Sequence, residues 1–415
     1  MKRKRSVQGN QSNNLKELSL TNFIKNSVKE RILMSMMNFA AELIEQEVLE
    51  YCGKKSSRPP EKAYYRNGFD PHSWGYFLGQ KIPVNKQRVI NKDGSGEVDL
   101  RHYEALHDPK LMSDEVMKHM LRGCSTREYD GVITHLSGKS GTSKSTVSKV
   151  FIKASQKDLD ELNGRSLQGK DIFAVFIDGI QFDGEHLIVS VAIDTSGKKM
   201  ILGIRSGDTE NNEVVKDLLN DLQERGLEIE HNTLFILDGS KALKKGVTRV
   251  YGEKAIIVRC LKHKIDNIEK YIPEDKWGEL SRKMFMMAGL EKYIDAKKEY
   301  EKIKIWLKGI SDRAANSLDE GGEDLLVLQL LNCPSALRKS LYTTNIIESL
   351  FSVVRAKMNR VKKWQKGKKM TERWFASVGL LHEKTRMRKV GGMRQIPEFL
   401  NILRNFPLDD LIKVA

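Results

Sequence analysis

The sequence predicts an α/β fold in which helices pack on a mixed β-sheet, and two apolar runs support that prediction. Residues 172–177 are all apolar and lead into Asp178 and Gly179. A run that is apolar on both alternating faces predicts a central strand covered on both sides. A second run, residues 233–237, leads into Asp238. Ligands gather at the carboxyl ends of strands in such sheets, so we expect Asp178 to end its strand and to meet Asp238 at one edge.

The remaining patterns between residues 165 and 272 give the order of elements in this sheet. Residues 186–193 and 199–205 flank a Thr-Ser-Gly turn and predict a hairpin. A helix capped by Asn211 or Asn212 precedes the second acidic strand, and a short strand at 255–258 leads into another helix. The order β, β, β, α, β, α, β, α predicts a mixed sheet with helices on it.

Strand patterns are absent from residues 273–335, which we interpret as an all-α insertion, because apolar residues there alternate spacings of three and four. Residues 336–390 then resume the sheet domain. A helix around 343–359 places five apolar residues on one stripe and projects Glu348 from another face. A third carboxylate-bearing element therefore joins the two strands.

The N-terminal part of the chain predicts mainly helical structure. Residues 1–16 are a basic tail that we expect to be disordered. In residues 17–108, a helix capped by Thr21 or Asn22 carries an apolar stripe that we interpret as core, and short alternating runs at 81–84 and 97–100 predict a small β region. We expect residues 391–415 to form a helical C-terminal tail.

Residues 109–164 predict a helix-turn-helix that binds DNA. A helix around Ser113 or Asp114, a second from Ser125 or Thr126, and a glycine turn precede a third helix whose start is rich in Ser, Thr and Lys. Its small polar and basic side chains are suited to base edges and phosphates in a major groove: Ser143, Lys144, Ser145, Thr146 and Lys149. An ordinary three-helix bundle is the alternative.

The composition favours a polyanionic partner. Among 415 residues, 71 Lys and Arg stand against 55 Asp and Glu, a net charge of +16. Nucleic acid is the commonest partner for such a surface, and a merely soluble basic surface is the alternative. The four cysteines are scattered, which favours reduced thiols over disulfides. No signal peptide or long apolar segment is present in the sequence, so we expect a soluble cytoplasmic protein.

An ordered series of motifs resembles the Mutator-type transposases of bacterial insertion sequences. The series is Phe-Ile-Asp-Gly, Leu-Asp-Gly, Arg-Cys-Leu-Lys-His at 259–263, Thr-Asn-Ile-Ile-Glu at 344–348, Arg-Val-Lys-Lys-Trp at 360–364 and Thr-Glu-Arg-Trp at 371–374. The resemblance covers roughly residues 105–390. It implies a ribonuclease-H-like fold, a DDE active site and DNA strand transfer, and it identifies Asp178, Asp238 and Glu348 as the catalytic triad and metal ligands.

The chemistry of phosphodiester cleavage suits three carboxylates. Two divalent ions activate water, hold the leaving oxygen and neutralise charge, and Mg²⁺ or Mn²⁺ prefers carboxylate oxygen. Two alternatives remain: Glu348 forms a helix-capping pair with Asn345, or Asp178 and Asp238 are simple turn residues. Glu372 and Glu383 are the nearest downstream acids that could replace Glu348.

Cys260 and His263 invite a zinc interpretation, but no second pair of ligands lies at matching spacing, so we expect them to pack beside the active site. Residues 355–373 hold nine basic side chains and one acid. We expect this basic run to clamp the DNA backbone, with solvated charge as the alternative. The residues of this run that we expect to contact DNA are Arg355, Arg360, Lys362, Lys363, Trp364, Lys366, Lys368, Lys369 and Arg373.

The sequence therefore predicts a transposase that binds double-stranded DNA at element ends and at a target, and that acts at the nucleoid. The resemblance implies a homo-oligomer on paired ends. Two other classes fit the same fold: a ribonuclease-H-like nuclease or resolvase without strand transfer, and a domesticated, inactive DNA-binding protein.

Overall fold

The computed structural model describes residues 9–56, 63–127, 129, 143–182, 184–207, 212–361, 364 and 369–407. The chain divides into two compact units, Met1–Ala154 and Ser155–Ala415. Within the described ranges, no helix is both long enough and apolar enough to cross a membrane.

The first unit is built on one long helix and a small β region. Its elements are α1 (Gly9–Cys52), β1 (Tyr64–Asp70), β2 (Trp74–Phe77), β3 (Gln80–Pro83), β4 (Lys86–Asn91), α2 (Arg101–Leu106) and α3 (Pro109–Leu121). Strands β1 and β4 pair antiparallel, as do β2 and β3. Residues 81–84 thus belong largely to a strand, as predicted, whereas 97–100 contribute a single bridge between Glu97 and Ile90.

Helix α1 differs from its prediction in two respects. It begins at Gly9, inside the segment predicted to be disordered, since no proline interrupts residues 9–52. Its C-terminal half packs on the β region through Ala40, Ile44 and Val48. Phe23 and Ile24 are 68% and 53% exposed, so the prediction that this part of the stripe is core is wrong. The β region is small, and the core it forms with α1 starts near Leu33.

The predicted helix-turn-helix is described in part. Helix α3 opens at Pro109 rather than near Ser113, because Asp108 accepts a hydrogen bond from the Lys110 amide and caps it. Most of the predicted second helix, residues 128 and 130–142, lies outside the described residues. The third helix, α4 (Lys144–Gly164), begins within the predicted Ser/Thr/Lys segment.

The second unit contains the predicted mixed sheet, which confirms the α/β class. Its strands are β5 (Ile172–Phe182), β6 (Glu185–Asp194), β7 (Lys199–Gly207), β8 (Thr233–Leu237) and β9 (Ala255–Arg259). They lie in the order β7-β6-β5-β8-β9, with β6 antiparallel to β5 and β7, and with β8 parallel to β5 and β9. Strand β5 is central, and its residues Phe173 to Ile177 are buried.

Helices follow the sheet strands in the predicted order. They are α5 (Asn212–Glu224), α6 (Lys241–Tyr251), α7 (Leu261–Glu269), α8 (Trp277–Gly289), α9 (Tyr293–Lys308), α10 (Asp312–Gly321), α11 (Val327–Leu330), α12 (Ser335–Leu341), α13 (Asn345–Met358), α14 (Met370–Thr385) and α15 (Ile396–Asn405). The apolar residues of α5 pack on the sheet. Helices α8 to α10 share a separate core with α7, because Leu261, Ile265 and Ile268 face them.

Candidate active site

Asp178 lies inside strand β5, not at its end as predicted. Pairing with β8 stops at Ile177, but pairing with β6 continues through Gly179 to Phe182. The glycine does not stop the strand, since the antiparallel neighbour still offers backbone partners. Asp178 therefore stands where β8 ends, on a strand that continues past it.

The two carboxylate oxygens of Asp178 have different surroundings. The Gly179 amide donates to Oδ1 at 2.8 Å. Oδ2 is buried and has no hydrogen-bond partner among the described residues. Burial, reinforced by the charges of Asp238 and Glu348, raises the pKa of Asp178 to about 7, although His263 opposes the shift. A buried, unpaired carboxylate oxygen is costly, so the fold maintains here an acceptor that none of the described residues satisfies.

Glu348 reaches the same place from the first turn of helix α13. The predicted apolar stripe of that helix is buried: Ile347, Leu350, Phe351, Val354 and Met358. Glu348 projects from a different face and is 39% exposed. Its Oε2 lies 3.6 Å from Arg355 Nη1, and its Oε1 lies 4.0 Å from His263 Nε2. The buried stripe thus fixes the helix and leaves the Glu348 carboxylate accessible to a ligand.

His263 completes a group of three potential ligands. In the described part of the chain, ligand atoms of Asp178, His263 and Glu348 all lie within 4.8 Å of one another. The imidazole is held by Cys260 and by Thr344, whose Oγ1 lies 3.5 Å from Nδ1. A hydrogen bond with Cys260 raises the pKa of His263 to about 9, and the nearby Asp178 and Asp238 add to that effect against burial. Without a metal, the His263 imidazole is therefore a cation close to the carboxylates of Asp178 and Glu348.

Asp238 directly follows β8, the strand parallel to β5, as the sequence predicts. It is half-buried, and its Oδ1 accepts a hydrogen bond from the Ser240 amide at 2.7 Å. Its charge raises the pKa of both Asp178 and His263, so it contributes to the same electrostatic site. One oxygen of Asp238 thus shapes the turn, as the turn-residue alternative expects.

The competing explanations for these residues fare differently. The N-cap of α13 is Thr344 rather than Asn345, and it makes no side-chain capping bond. A capping pair of Asn345 and Glu348 therefore does not explain the position of Glu348. Glu372 accepts hydrogen bonds from the amide and hydroxyl of Ser206, and Glu383 accepts one from the Ile201 amide. Both of these downstream acids hold α14 on strand β7, which leaves Glu348 as the better third acid.

Cys260 is fully buried at the N-terminus of α7. Burial opposes ionisation of its thiol, but hydrogen bonds with His263 and Thr344 prevail and lower its pKa. Sequence reasoning placed Cys260 and His263 beside the site, but it missed His263 as a potential ligand. The signal available was the three-residue spacing, which puts both on one side of α7.

The residues predicted to bind DNA fall into three groups. Ser143, Lys144, Ser145 and Lys149 are exposed at the start of α4, with Thr146 half-buried beside them. Ser143 Oγ accepts a hydrogen bond from the Thr146 amide at 3.2 Å and so caps the helix. The second group, in the basic run, is Lys362, Lys363, Lys366 and Lys368, which lie outside the described residues.

The described members of the basic run form the third group. Arg355, Arg360 and Lys369 are exposed, and the Trp364 ring lies 6.3 Å from that of Phe182. Arg373 departs from the prediction, because it is 5% exposed in a helix whose residues from Thr371 to Leu380 are all buried. A side chain so enclosed has little surface to offer a phosphate.

Three known proteins that are similar to this chain are transposases for insertion sequence elements. The chain is 26% identical over 364 residues to the transposase for insertion sequence element IS1201 of Lactobacillus helveticus, covering 83% of this chain and 92% of that protein. It is 26% identical over 347 residues to the transposase for element IS905 of Lactococcus lactis subsp. lactis (strain IL1403), covering 80% and 84%. With the transposase for element ISRM5 of Rhizobium meliloti (strain 1021), identity is 25% over 333 residues, covering 76% and 78%.

The family follows from a separate match over most of the chain. The family described as "Transposase, Mutator family" matches residues 8–370. This chain therefore belongs to the Mutator family of transposases, as its motifs indicated.

Proposed function

We propose that this protein is a DNA transposase that binds the ends of its mobile element, cleaves DNA there and transfers the strands to a target. The observation that carries the proposal is the group formed by Asp178, His263 and Glu348 in a chain of the Mutator family. Asp178, Asp238 and Glu348 are its catalytic acids in this proposal.

The sheet supports a ribonuclease-H-like fold for the catalytic domain. Numbered along the chain, its strands stand in the order 3-2-1-4-5, with the second strand antiparallel to its neighbours. Two acids come from the adjacent first and fourth strands, and the third comes from a helix after the all-α segment. This arrangement supports the DDE assignment that the motif series implies.

The donor set fits Mg²⁺ or Mn²⁺. Asp178 offers a buried oxygen without a partner, and the nearby carboxylates are hard oxygen donors of the kind these ions prefer. Asp178, Asp238 and Glu348 would hold two ions, with His263 close enough to contribute. Bound there, the ions would supply an activated water and would neutralise charge on the scissile phosphate.

The side chains of the protein have distinct tasks in this scheme. Asp178 is fixed by its strand and by the Gly179 amide, so its free oxygen has a defined direction. Glu348 is more exposed, and its carboxylate lies near Arg355 of its own helix and near His263. His263, held by Cys260 and Thr344, balances the negative charge of the acids before metal binds. A buried acid, a more exposed acid and a neighbouring cation together form a site suited to dications.

DNA binding is assigned to two surfaces. The exposed start of α4, within a helix-turn-helix over residues 109–164, would read the element ends. The basic run would grip phosphates next to Glu348, since it directly follows α13 along the chain. We further propose a homo-oligomer acting on paired ends, with chromosomal DNA as the site of action.

Strand transfer is the step that separates this function from its alternatives. The experiment incubates the full chain with labelled element-end DNA and a supercoiled target plasmid in Mg²⁺ or Mn²⁺. Labelled ends joined to plasmid are the expected product. Cut but never joined ends would instead identify a nuclease or resolvase, and binding without cutting would identify an inactive DNA-binding protein.

A further inference from the structure

Arg259 is a buried cation next to the candidate site with too few partners. It is the last residue of β9, and only 7% of its side chain is exposed. Its Nε has no hydrogen-bond partner among the described residues, and its Nη2 lies 3.7 Å from Glu320 Oε2. Burying a guanidinium with one distant counterion is unfavourable. A contribution to stability therefore does not explain why Arg259 is buried here.

The guanidinium packs against the turn that carries Asp238. Gly239 follows Asp238 with φ of +108°, a conformation that L side chains rarely adopt. A Cβ on Gly239 would lie 2.1 Å from Arg259 Cζ, so the plane of the guanidinium touches the Gly239 backbone. Asp238 and Ser240 close the turn through the Oδ1 bond at 2.7 Å. Arg259 therefore packs against the turn and supports its conformation.

Glu320, on helix α10, is the carboxylate that holds this cation. It lies 3.2 Å from the Nζ of Lys264, whose side chain is fully buried, and 4.0 Å from the Nζ of Lys241. Three cations thus share one acid. Burial opposes ionisation of Glu320, but Lys264 and Arg259 lower its pKa, so it is charged at neutral pH.

We propose that Glu320 and Arg259 are positioning residues for Asp238, and that the all-α segment helps to assemble the metal site through them. This inference rests on the proposed function of Asp238 as a metal ligand. Without the Glu320 charge, Arg259 is a buried cation without its counterion and moves toward water. The contact with Gly239 is then lost, the turn changes its conformation, and Asp238 shifts away from the other acids.

The chain offers a matched control on the same helix. Asp319 precedes Glu320, and the two side chains are 39% and 42% exposed. Asp319 instead pairs with Lys304 at 2.9 Å and accepts a bond from the Tyr300 hydroxyl at 3.3 Å. Asp319→Asn and Glu320→Gln each remove one charge from an ion pair of α10. They differ in whether that pair leads to Asp238.

The test measures Mn²⁺ affinity by calorimetry on the full-length variants, beside cleavage of end DNA over a range of Mn²⁺ concentrations. Glu320→Gln is expected to weaken Mn²⁺ binding roughly tenfold, a coupling typical of residues in one network. Excess Mn²⁺ should restore cleavage, whereas Asp319→Asn should behave as wild type. Equal Mn²⁺ affinities for the two variants would overturn the inference.

Two further variants keep the outcomes separate. Arg259→Lys retains the charge but not the flat guanidinium, so it should also weaken Mn²⁺ binding, and it decides the matter if Glu320→Gln proves unstable. Wild-type affinity in Arg259→Lys would count against the inference. Asp178→Asn tests the proposed function alone. If that variant binds Mn²⁺ as wild type does, the proposed metal site at Asp178 is refuted, whatever the result for Glu320→Gln.

Discussion

Asp178 combines a rigid position with an unsatisfied oxygen, and this combination makes its protonation sensitive to its surroundings. Burial raises its pKa from 3.8 to about 7. A carboxyl whose pKa is raised on folding stabilises the folded state fully below its unfolded pKa, and this contribution is lost as the pH rises through the folded pKa. In the metal-free protein, stability from Asp178 should therefore decline between pH 4 and pH 7.

Asp178→Asn tests this sign. The amide keeps the shape of the side chain without a charge, so at about pH 8 the metal-free variant should be more stable than wild type by roughly 4 kcal/mol. The difference should shrink toward about pH 5, where the wild-type carboxyl is protonated. Thermal unfolding in EDTA across this pH range measures it. A difference that does not vary with pH would contradict the assignment of the shift to Asp178.

Cys260 gives a second prediction at this scale. Its hydrogen bond is the largest cause of the raised pKa of His263, so Cys260→Ala should bring that pKa down from about 9 toward its ordinary value. Titration of the imidazole by NMR in metal-free protein measures the change. Cys333→Ala is the control, because Cys333 is equally buried but does not contact His263. An unchanged His263 titration in Cys260→Ala would refute this role.

The individual acids were predictable from sequence, because each follows a strongly apolar pattern that fixes its element. Asp238 comes directly after a buried strand, and Glu348 stands opposite a buried stripe, as the structure has them. The Cys260–His263–Thr344 contact was not predictable. It joins positions 84 residues apart, and local periodicity carries no information about such a pairing.

At the scale of elements, helix α4 presents its first turn to solvent. Replacing Lys144 and Lys149 with Ala should weaken binding to element ends about tenfold if this turn enters the DNA groove. Lys153→Ala with Lys157→Ala is the matched control, since both lysines are exposed farther along the same helix. Electrophoretic mobility shift with end DNA and scrambled DNA gives the measurement. Equal losses in the two double variants would favour an ordinary bundle with a solvated surface.

The basic run after α13 leads to a different expectation. Replacing Lys362, Lys363 and Lys366 with Ala removes phosphate contacts but leaves base readout untouched. Binding should weaken on all DNA sequences, and the slope of log affinity against log salt should fall by about 2 to 3. An unchanged slope would mean that these lysines are solvated.

The limits of elements were harder to predict than their presence. Strand β5 passes through Gly179, because pairing with β6 outweighs the local preference of glycine for a turn. Helix α3 starts at the Asp108 cap and Pro109, one turn before the predicted residues. Pairing with β6 decided the end of β5, and the Asp108 cap with Pro109 decided the start of α3. The apolar content of each element decided its existence, and its neighbours decided its ends.

For the whole molecule, the net charge of +16 and membership of the Mutator family point to the same partner, DNA. Element order along the chain predicted the mixed sheet, since a hairpin followed by alternating strands and helices has few ways to pack. The exposure of Phe23, Ile24 and Val28 on α1 was not predicted. An apolar stripe indicates which face of a helix is available for packing, but not whether the chain supplies a partner to cover it.

In the proposed function, Asp178, Asp238 and Glu348 cleave DNA with bound metal. The most direct measurement is cleavage of labelled end DNA in Mg²⁺ or Mn²⁺ by wild type, Asp238→Asn and Glu348→Gln, with DNA binding measured on the same samples. Each amide removes one charge that the ions require, so cleavage should fall about 100-fold or more while binding stays within about twofold. Asp266→Asn, which breaks only a surface pair with Lys262, should cleave as wild type. Wild-type cleavage by Asp238→Asn or by Glu348→Gln would contradict the account.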